Sequence, residues 1–227
     1  MKNDKAKTIK RFNDIVTSFF LLAILSPIII IAFLISLFET KAFPIFIQKR
    51  GLSIDRKLFT IYKIRTVKCE NLMTKKNGRK FLLSPGYKEK VPKLCKLIRK
   101  YGIDELPQLV NVIRGEMSLI GPRPLDQFDL KCLKENFIEQ NKERMKLNSK
   151  PGILGMWQLY GKRTLGAIDL LFWDKLYDEN FSLLLDIKII VQTVKSYIRT
   201  GIKEDSIFAD QITTKGFTIL NELVATN

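Results

Sequence analysis

The longest apolar run of the chain extends over Ile15–Phe38 and contains no charged residue. As a straight helix it would extend about 36 Å, which is enough to cross the hydrocarbon core of a bilayer. A cleaved signal peptide is a poor alternative, because the run is too long for a typical signal core and no clear small-residue cleavage motif precedes Lys41. The pattern therefore predicts a membrane-embedded segment.

The dipeptide Ser26-Pro27 interrupts the centre of this run. Proline lacks a backbone N–H group and clashes with the preceding turn, so the helix is expected to kink or break there. A local hydrogen bond from Ser26 would satisfy backbone groups that the proline frees. Basic residues, which favour the cytoplasmic side, flank both ends of the run. They are Lys2, Lys5, Lys7, Lys10, Arg11, Lys41, Lys49 and Arg50. This combination favours a re-entrant helix-break-helix, while a kinked spanning helix stays open.

Two short segments after the membrane run, residues 43–49 and 57–64, are rich in Phe, Ile and Tyr and predict a β-hairpin. A polar loop is predicted over residues 78–90. Residues 91–100 then carry apolar side chains at helical spacing among lysines, which indicates a short basic helix.

The next predicted helix begins at Asp104 and Glu105, just before Pro107. Proline is tolerated in a first helical turn, and leucine, valine and isoleucine follow at helical spacing. Gly115 is expected to end this helix.

The remaining chain predicts a polar helix over residues 126–147, a glycine-punctuated loop over 150–163 and a final helix near 182–199. The final helix carries one apolar stripe, formed by Leu183, Ile187, Ile190, Val191, Val194 and Ile198. Packing against the domain is the commoner arrangement for such a stripe, and contact with the bilayer interface is the alternative.

The charge pattern changes this picture by locating a strong positive field. The chain has 39 basic and 23 acidic residues, for a net charge of +16. Residues 41–103 hold 18 basic and 3 acidic residues, whereas residues 104–227 hold 16 basic and 17 acidic residues. Such a block attracts nucleic acid, anionic lipid headgroups or phosphorylated small molecules, and charge alone does not choose among them.

The reactive residue types exclude several kinds of site. Cys69, Cys95 and Cys132 have neither CxxC spacing nor an even count, which argues against a disulfide framework or a zinc site. The chain has no histidine, so Ser-His and Cys-His nucleophiles are excluded. It also lacks a P-loop and a GxGxxG motif, so a nucleotide would depend on arginines and carboxylates.

Local physics gives Asp104 and Glu105 two interpretations. Asp is a favoured N-cap and Glu a favoured first-turn residue, so the pair can simply cap a helix. The same position attracts phosphate, and an ionised Asp there could attack phosphorus to form an aspartyl phosphate. Two anions approach each other only when a divalent cation or arginines screen them. Arg123, fixed between Pro122 and Pro124, is a candidate for gripping a phosphate bidentately.

Residues 99–125 read RKYGIDELPQLVNVIRGEMSLIGPRPL. This run closely resembles the signature of the bacterial sugar transferase family, the small monotopic phosphoglycosyl transferases that act on undecaprenyl phosphate. Other segments resemble the family in the same order: the apolar run with its Ser26-Pro27 break, IQKRG at 47–51, YKIRT at 62–66, KPGILGMWQLYGKR at 150–163 and SLLLDIKII at 182–190. The resemblance covers residues 9–201.

The resemblance implies a two-step reaction at the bacterial inner membrane, with the catalytic domain on the cytoplasmic face. An Asp displaces UMP from a UDP-sugar to form a covalent phosphosugar enzyme, which undecaprenyl phosphate then attacks. Asp104 matches the nucleophile, and Glu105 either holds Mg²⁺ with Asp104 or acts on a proton. The product would initiate assembly of a capsule, O-antigen, exopolysaccharide or glycoprotein glycan. The expected partners are therefore the UDP-sugar, undecaprenyl phosphate and the bilayer, without nucleic acid, and a homodimer is left open.

The resemblance also implies a set of substrate-binding residues. They are Arg123 and Pro122 of the GPRP motif, the basic residues Lys63, Arg65 and Arg99, and Gln158, Lys162 and Arg163 of the 150–163 segment. One departure concerns the family's usual GR, which reads Gly161-Lys162 here with Arg163 one place later. Lys is a poorer bidentate phosphate ligand than Arg, so the donor sugar need not be one of the commonest.

These observations predict a helix-dominated α+β fold. It comprises a re-entrant membrane segment over residues 1–40, a cytosolic phosphoglycosyl transferase domain over 41–201 and a tail over 202–227. A short β-hairpin and interfacial amphipathic helices are expected in the domain. The alternative is a non-catalytic basic tether that binds anionic lipid or nucleic acid, but a tether has no need for the DELPQL and GPRP motifs.

Overall fold

The structure is a computed structural model that describes residues 2–68, 91–161 and 166–200. The helices are α1 (Lys2–Thr40), α2 (Lys93–Lys100), a 3-10 helix (Ile103–Gln108), α3 (Leu109–Arg114), α4 (Gln127–Asn136), α5 (Ile138–Lys146), α6 (Met156–Tyr160), α7 (Gly166–Glu179) and α8 (Leu183–Thr200). The strands are β1 (Ile45–Gly51), β2 (Phe59–Ile64), β3 (Ser118–Ile120), β4 (Leu125–Asp126) and β5 (Gly152–Leu154). The predicted helix-dominated α+β class is confirmed.

Helix α1 continues through Pro27, so the expected break does not interrupt the helix. Pro27 cannot donate to the carbonyl oxygen of Ala23, which is its normal helical acceptor. The Ser26 hydroxyl donates to that oxygen instead, at 2.8 Å. The expected role of Ser26 is confirmed, and this substitute hydrogen bond explains why the helix tolerates the proline.

One face of α1 packs against the rest of the protein and the opposite face is apolar and exposed. Asp14, Ser18, Ile29, Ala32 and Ser36 are buried along the packed face. The outward side chains include Phe19, Phe20, Ile24, Ile30, Ile31 and Phe38. Within the described residues, α1 is the helix that is long and apolar enough to cross a membrane.

The predicted hairpin is confirmed as β1 and β2, which pair antiparallel from Ile45 opposite Ile64 to Arg50 opposite Phe59. Strand β4 joins the other edge of β1, where Arg50 lies opposite Asp126. Strands β3 and β5 form a separate parallel pair. These pairings bring the 122–126 segment beside the hairpin, and the candidate site forms at this junction.

The main core lies between the helices of the C-terminal half and includes Leu130, Leu133, Trp173, Tyr177 and Ile189. Helix α8 is confirmed, but most of its apolar stripe does not pack against the domain, which was the commoner of the two arrangements considered. Ile187, Ile190, Val191 and Val194 are exposed. The packed face holds Leu185, Asp186, Ile189 and Thr193 instead. Its two polar side chains can be buried because both form hydrogen bonds: Asp186 accepts from the Tyr177 hydroxyl, and Thr193 donates to the Ile189 carbonyl.

Several other boundaries differ from the predictions. The expected helix over residues 126–147 is two helices, because Phe137 has φ −137° and ψ 58°, which ends α4. The expected loop over 150–163 contains β5 and α6. The predicted loop over residues 78–90 and the tail over residues 202–227 lie outside the described residues.

Candidate active site

Asp104 and Glu105 occupy the first turn of the 3-10 helix, which follows Gly102. Gly102 has φ 62°, a left-handed conformation that glycine adopts without steric cost. The helix is therefore tighter at its start than the α-helix that the sequence predicts, and α3 begins only at Leu109. Consecutive residues on a 3-10 helix point about 120° apart, so the two side chains leave the helix in different directions.

Glu105 lies among positive charges. Its Oε1 accepts a hydrogen bond from Lys63 Nζ at 2.5 Å, and both side chains are mostly buried. Burial opposes the ionised carboxylate, but the charges of Lys63, Arg123 and Arg50 outweigh it and lower the pKa of Glu105 from 4.5 to about 2. Glu105 is therefore a permanent anion at any physiological pH.

Asp104 is 6% exposed and lies on the side of Cys95 and Arg99. The pKa of the Cys95 thiol rises to about 11, through burial first and then through the negative charges of Glu39 and Asp104, while Arg99 acts in the opposite direction. Arg99 also donates to Thr66 Oγ1 at 3.3 Å. Asp104 thus acts on Cys95 together with Arg99, while its neighbour Glu105 is surrounded by Lys63, Arg123 and Arg50.

Arg123 is held on the loop between β3 and β4, and its guanidinium lies over the Trp157 ring at 5.4 Å from the centroid. Among the described residues this guanidinium makes no hydrogen bond or ion pair, although its charge acts on Glu105 and Arg50. A planar cation stacked on an indole and left with its donors unused is suited to bidentate phosphate binding.

Arg50 completes the positive group, and it is absent from the substrate-binding residues predicted above. It donates from NH1 to the Pro124 carbonyl at 3.0 Å and from Nε to Gln48 Oε1 at 3.0 Å. Burial and the neighbouring Arg123 lower its pKa. Arg50 lies in the IQKRG segment, whose resemblance to the family could have indicated a role in the site. The strand pairing that brings it there, with β4, joins residues that are far apart in the sequence.

The other predicted residues divide between the site and its borders. Lys63 reaches Glu105, and the Pro122 carbonyl accepts from Gly152 N at 2.9 Å. Arg65 donates to the Phe43 carbonyl at 2.9 Å and lies over the ring of Phe46, so it is placed at the open end of the hairpin.

Gln158 lies on α6, one position after the Trp157 that supports Arg123. Its Nε2 donates to the Ile153 carbonyl at 3.2 Å, and its Oε1 is buried without a hydrogen-bond partner among the described residues. Lys162 and Arg163 lie outside the described residues, so their placement stays a prediction.

The sequence profile of the bacterial sugar transferase family matches residues 5–200, which is most of the chain. The chain belongs to this family. The predicted membership is confirmed, and so is the prediction that the chain is a transferase enzyme of the sugar-phosphate type.

Three similar proteins illustrate the range of this sugar transferase family. The uncharacterized sugar transferase EpsL of Bacillus subtilis is 35% identical over 211 residues, which cover 92% of this chain and 97% of EpsL. The undecaprenyl-phosphate galactose phosphotransferase of Salmonella typhimurium is 30% identical over 210 residues, 86% of this chain and 41% of that protein. The UDP-glucose:undecaprenyl-phosphate glucose-1-phosphate transferase of Caulobacter vibrioides is 30% identical over 196 residues, 84% of this chain and 70% of that protein. This sugar transferase thus spans less than half of the Salmonella protein.

Glu105, one of the two predicted Mg²⁺ ligands of this sugar transferase, has a carboxylate oxygen available for an ion shared with substrate. Glu105 Oε1 holds Lys63, while Oε2 makes no hydrogen bond with the described residues. No group of three or more acidic, cysteine or histidine side chains gathers in the described parts of the chain. Mg²⁺ is often held by one or two carboxylates together with substrate phosphates and water rather than by a protein cage, and a carboxylate pair of this kind is compatible with that arrangement.

Proposed function

We propose that this sugar transferase transfers a sugar phosphate from a UDP-sugar to undecaprenyl phosphate, with Asp104 as the nucleophile. The observation that carries the proposal is the position of a buried Asp104 directly before Glu105, which lies within the positive group of Lys63, Arg50 and Arg123. Relatives that match most of this chain are named as undecaprenyl-phosphate sugar phosphotransferases, which supports the same donor and acceptor classes.

The proposed chemistry proceeds in two phosphoryl transfers. In the first, an Asp104 carboxylate oxygen attacks the sugar-bearing phosphorus, the phosphorus–oxygen bond to UMP breaks, and UMP leaves with the electron pair. In the second, an oxygen of the polyprenyl phosphate attacks the same phosphorus, and Asp104 leaves as a free carboxylate. Neither step needs a proton, which suits a chain without histidine.

Glu105 has a supporting role in this proposal. A carboxyl group with a pKa of about 2 does not exchange protons near neutral pH, so general acid or base work is disfavoured. Its negative charge instead holds Lys63 and offsets the repulsion between Arg50 and Arg123. When bound, Mg²⁺ would neutralise part of the substrate's negative charge, with Asp104 and Glu105 Oε2 as its protein ligands.

The contacts of α1 favour a membrane segment whose two ends stay on one side of the bilayer, as in the re-entrant prediction, although the helix itself is unbroken at Pro27. Near its beginning, Asp14 accepts from Ser118 Oγ at 2.6 Å, and near its end Ser36 donates to the Arg65 carbonyl at 2.6 Å. Both ends therefore touch the same folded unit, whereas a spanning helix would carry one end to the far side of the bilayer. We place the catalytic domain on the cytoplasmic face, because basic residues flank both ends.

Topology has its own test. Single cysteines introduced at Lys5 and at Lys41 should both be protected from an impermeant thiol reagent added outside intact cells. A kinked spanning helix predicts labelling at one of the two positions only.

Activity is tested with the purified full chain, Mg²⁺, undecaprenyl phosphate and a panel of UDP-sugars, with UMP release as the readout. Asp104→Asn should abolish UMP release with every donor, and mass spectrometry of the wild-type chain without acceptor should detect one added sugar phosphate. Asp178→Asn is the control, because it makes the same chemical change at a carboxylate that accepts the backbone N–H groups of Asn148 and Ser149 away from the site. UMP release at the wild-type rate by Asp104→Asn would refute the assigned nucleophile.

A further inference from the structure

The loop that carries Arg123 is held by hydrogen bonds along its backbone. Gly121 N donates to the Leu154 carbonyl at 2.9 Å, and the Pro122 carbonyl accepts from Gly152 N at 2.9 Å. The Pro124 carbonyl accepts from Arg50 at 3.0 Å. The two prolines have fixed φ angles and no N–H group to satisfy. This loop is therefore stiff on both sides of Arg123.

The backbone of Arg123 itself is gripped by two residues from distant helices. Its N–H donates to Asp174 Oδ1 at 3.2 Å, and its carbonyl accepts from Arg144 NH2 at 2.7 Å. Arg144 comes from α5 and Asp174 from α7, and the two side chains also form an ion pair with each other. Arg144 Nε reaches the Leu52 carbonyl as well, at 3.0 Å.

This ion pair is almost completely removed from solvent, with side-chain exposures of 0% for Arg144 and 2% for Asp174. Buried ion pairs contribute little net stability compared with apolar residues of similar volume, because desolvation of both charges offsets their attraction. What the pair does achieve is geometric. A forked guanidinium and a carboxylate fix both polar groups of a single peptide residue, which apolar side chains cannot do.

We propose that Arg144 and Asp174 are positioning residues that hold Arg123 for the diphosphate of a nucleotide-sugar. The proposal rests on the proposed function, in which the Arg123 guanidinium binds substrate phosphate. The hydrogen bonds to the Arg123 backbone fix the position of its Cα atom, and the Trp157 ring contacts the guanidinium at the other end of the side chain. The guanidinium donors then stay available, since no described residue uses them, and little side-chain entropy is lost on binding.

A purely structural ion pair is the competing explanation, and a double-mutant cycle separates the two. Arg144→Lys keeps the charge next to Asp174 but loses the planar fork that serves three acceptors at once. Arg123→Ala removes the group that the clamp is meant to position. If Arg144 acts through Arg123, its substitution has nothing left to disturb in the Arg123→Ala background.

The experiment measures UMP affinity by calorimetry for the full chain in lipid nanodiscs at constant salt. We expect Arg144→Lys to weaken UMP binding about 10-fold and the double variant to match Arg123→Ala alone. Arg56→Lys is the matched control, because Arg56 likewise donates to a carbonyl, that of Leu147 at 2.7 Å, without touching the Arg123 loop. It should bind UMP as wild type does.

A second readout needs no ligand. Trp157 is 3% exposed and carries Arg123 on its ring, so its fluorescence reports the position of the guanidinium. Arg144→Lys should shift the emission in the same direction as Arg123→Ala, with no further shift in the double variant. Asp174→Asn, which keeps an acceptor for the Arg123 N–H group, serves if Arg144→Lys does not fold.

The outcomes are distinguishable. Arg144→Lys could reduce UMP affinity, or shift the emission, by the same amount in the wild type and in the Arg123→Ala variant. That result would overturn the positioning role and leave a structural one. An Arg144→Lys variant with wild-type affinity and emission would overturn it too. Coupled fluorescence in a protein that does not bind UMP would uphold the clamp and count against the proposed function instead.

Discussion

The charge state of Glu105 makes a quantitative prediction for Glu105→Gln. The pKa of Glu105 falls from 4.5 to about 2 on folding, which corresponds to about 3 kcal/mol of preference for the ionised form in the folded state. Because the folded pKa is the lower one, this stabilisation is fully present above pH 4.5 and is lost as the pH falls from 4.5 toward 2. Glutamine cannot ionise, so it removes the counter-charge of Lys63 and part of the negative charge that acts on Arg50 and Arg123.

Two consequences can be measured by thermal unfolding of the full chain, followed by tryptophan fluorescence between pH 3 and pH 7. At pH 7, Glu105→Gln should lower the free energy of unfolding by up to about 3 kcal/mol. Between pH 3 and pH 4.5, the stability of the wild type should fall more steeply than that of the variant, by roughly 1 kcal/mol per pH unit. The two curves should therefore converge in acid.

Glu143→Gln is the matched control for this experiment. Glu143 also pairs with two lysines, Lys146 at 2.5 Å and Lys175 at 3.0 Å, and hydrogen bonds from them lower its pKa. Those pairs are solvent-exposed, so water and salt screen them and the variant should follow the wild-type curve. If Glu105→Gln ran parallel to the wild type from pH 3 to pH 7, the electrostatic role assigned to Glu105 would be wrong.

Two further substitutions test local packing, each by thermal unfolding in nanodiscs. Ser26→Ala should cost about 1 kcal/mol in the wild-type helix and nothing in a Pro27→Ala background, where a backbone donor returns; equal losses in both backgrounds would contradict the role given to the serine. Gly121→Ala should destabilise by about 3 kcal/mol, because its Cβ would overlap the backbone carbonyl of Lys150. Gly166 has φ +60° and open space around it, so Gly166→Ala should lower the free energy of unfolding by only about 1 kcal/mol. Similar losses of stability at both glycines would mean that the backbone around Gly121 shifts to make room for the added Cβ.

The sequence predicted those elements whose pattern is local. Two segments rich in Phe, Ile and Tyr predicted the β1–β2 hairpin, and helical spacing predicted α8. Helix α7 was not predicted, because its apolar residues cover more than one face of the helix. Leu170 and Trp173 are buried, while Ile168 and Phe172 are exposed. Such a helix has no clean amphipathic period to detect.

The site divides in the same way between local and long-range information. Capping physics alone would have left Asp104 as an ordinary helix start, and only the motifs around it indicated chemistry. Lys63 was predicted from its motif, whereas Arg50 was missed, because its place beside Asp126 and the Arg123 loop depends on strand pairing between β1 and β4. The clamp on Arg123 depends on contacts that no sequence spacing encodes, since its partners lie 21 and 51 residues away.

The contacts of α1 also connect Asp104 to the proposed membrane segment. Arg11 donates to the carbonyls of Val112 at 2.5 Å and Ile113 at 2.9 Å, so a cation covers the negative end of α3. At the opposite end of the same unit, Ile103 packs against a cluster that includes Ala32 of α1. The 3-10 helix and α3 are thus attached to α1 at both ends. In the proposed arrangement, a change in the depth of α1 in the bilayer would therefore move Asp104, the proposed nucleophile, relative to the phosphate of the lipid acceptor.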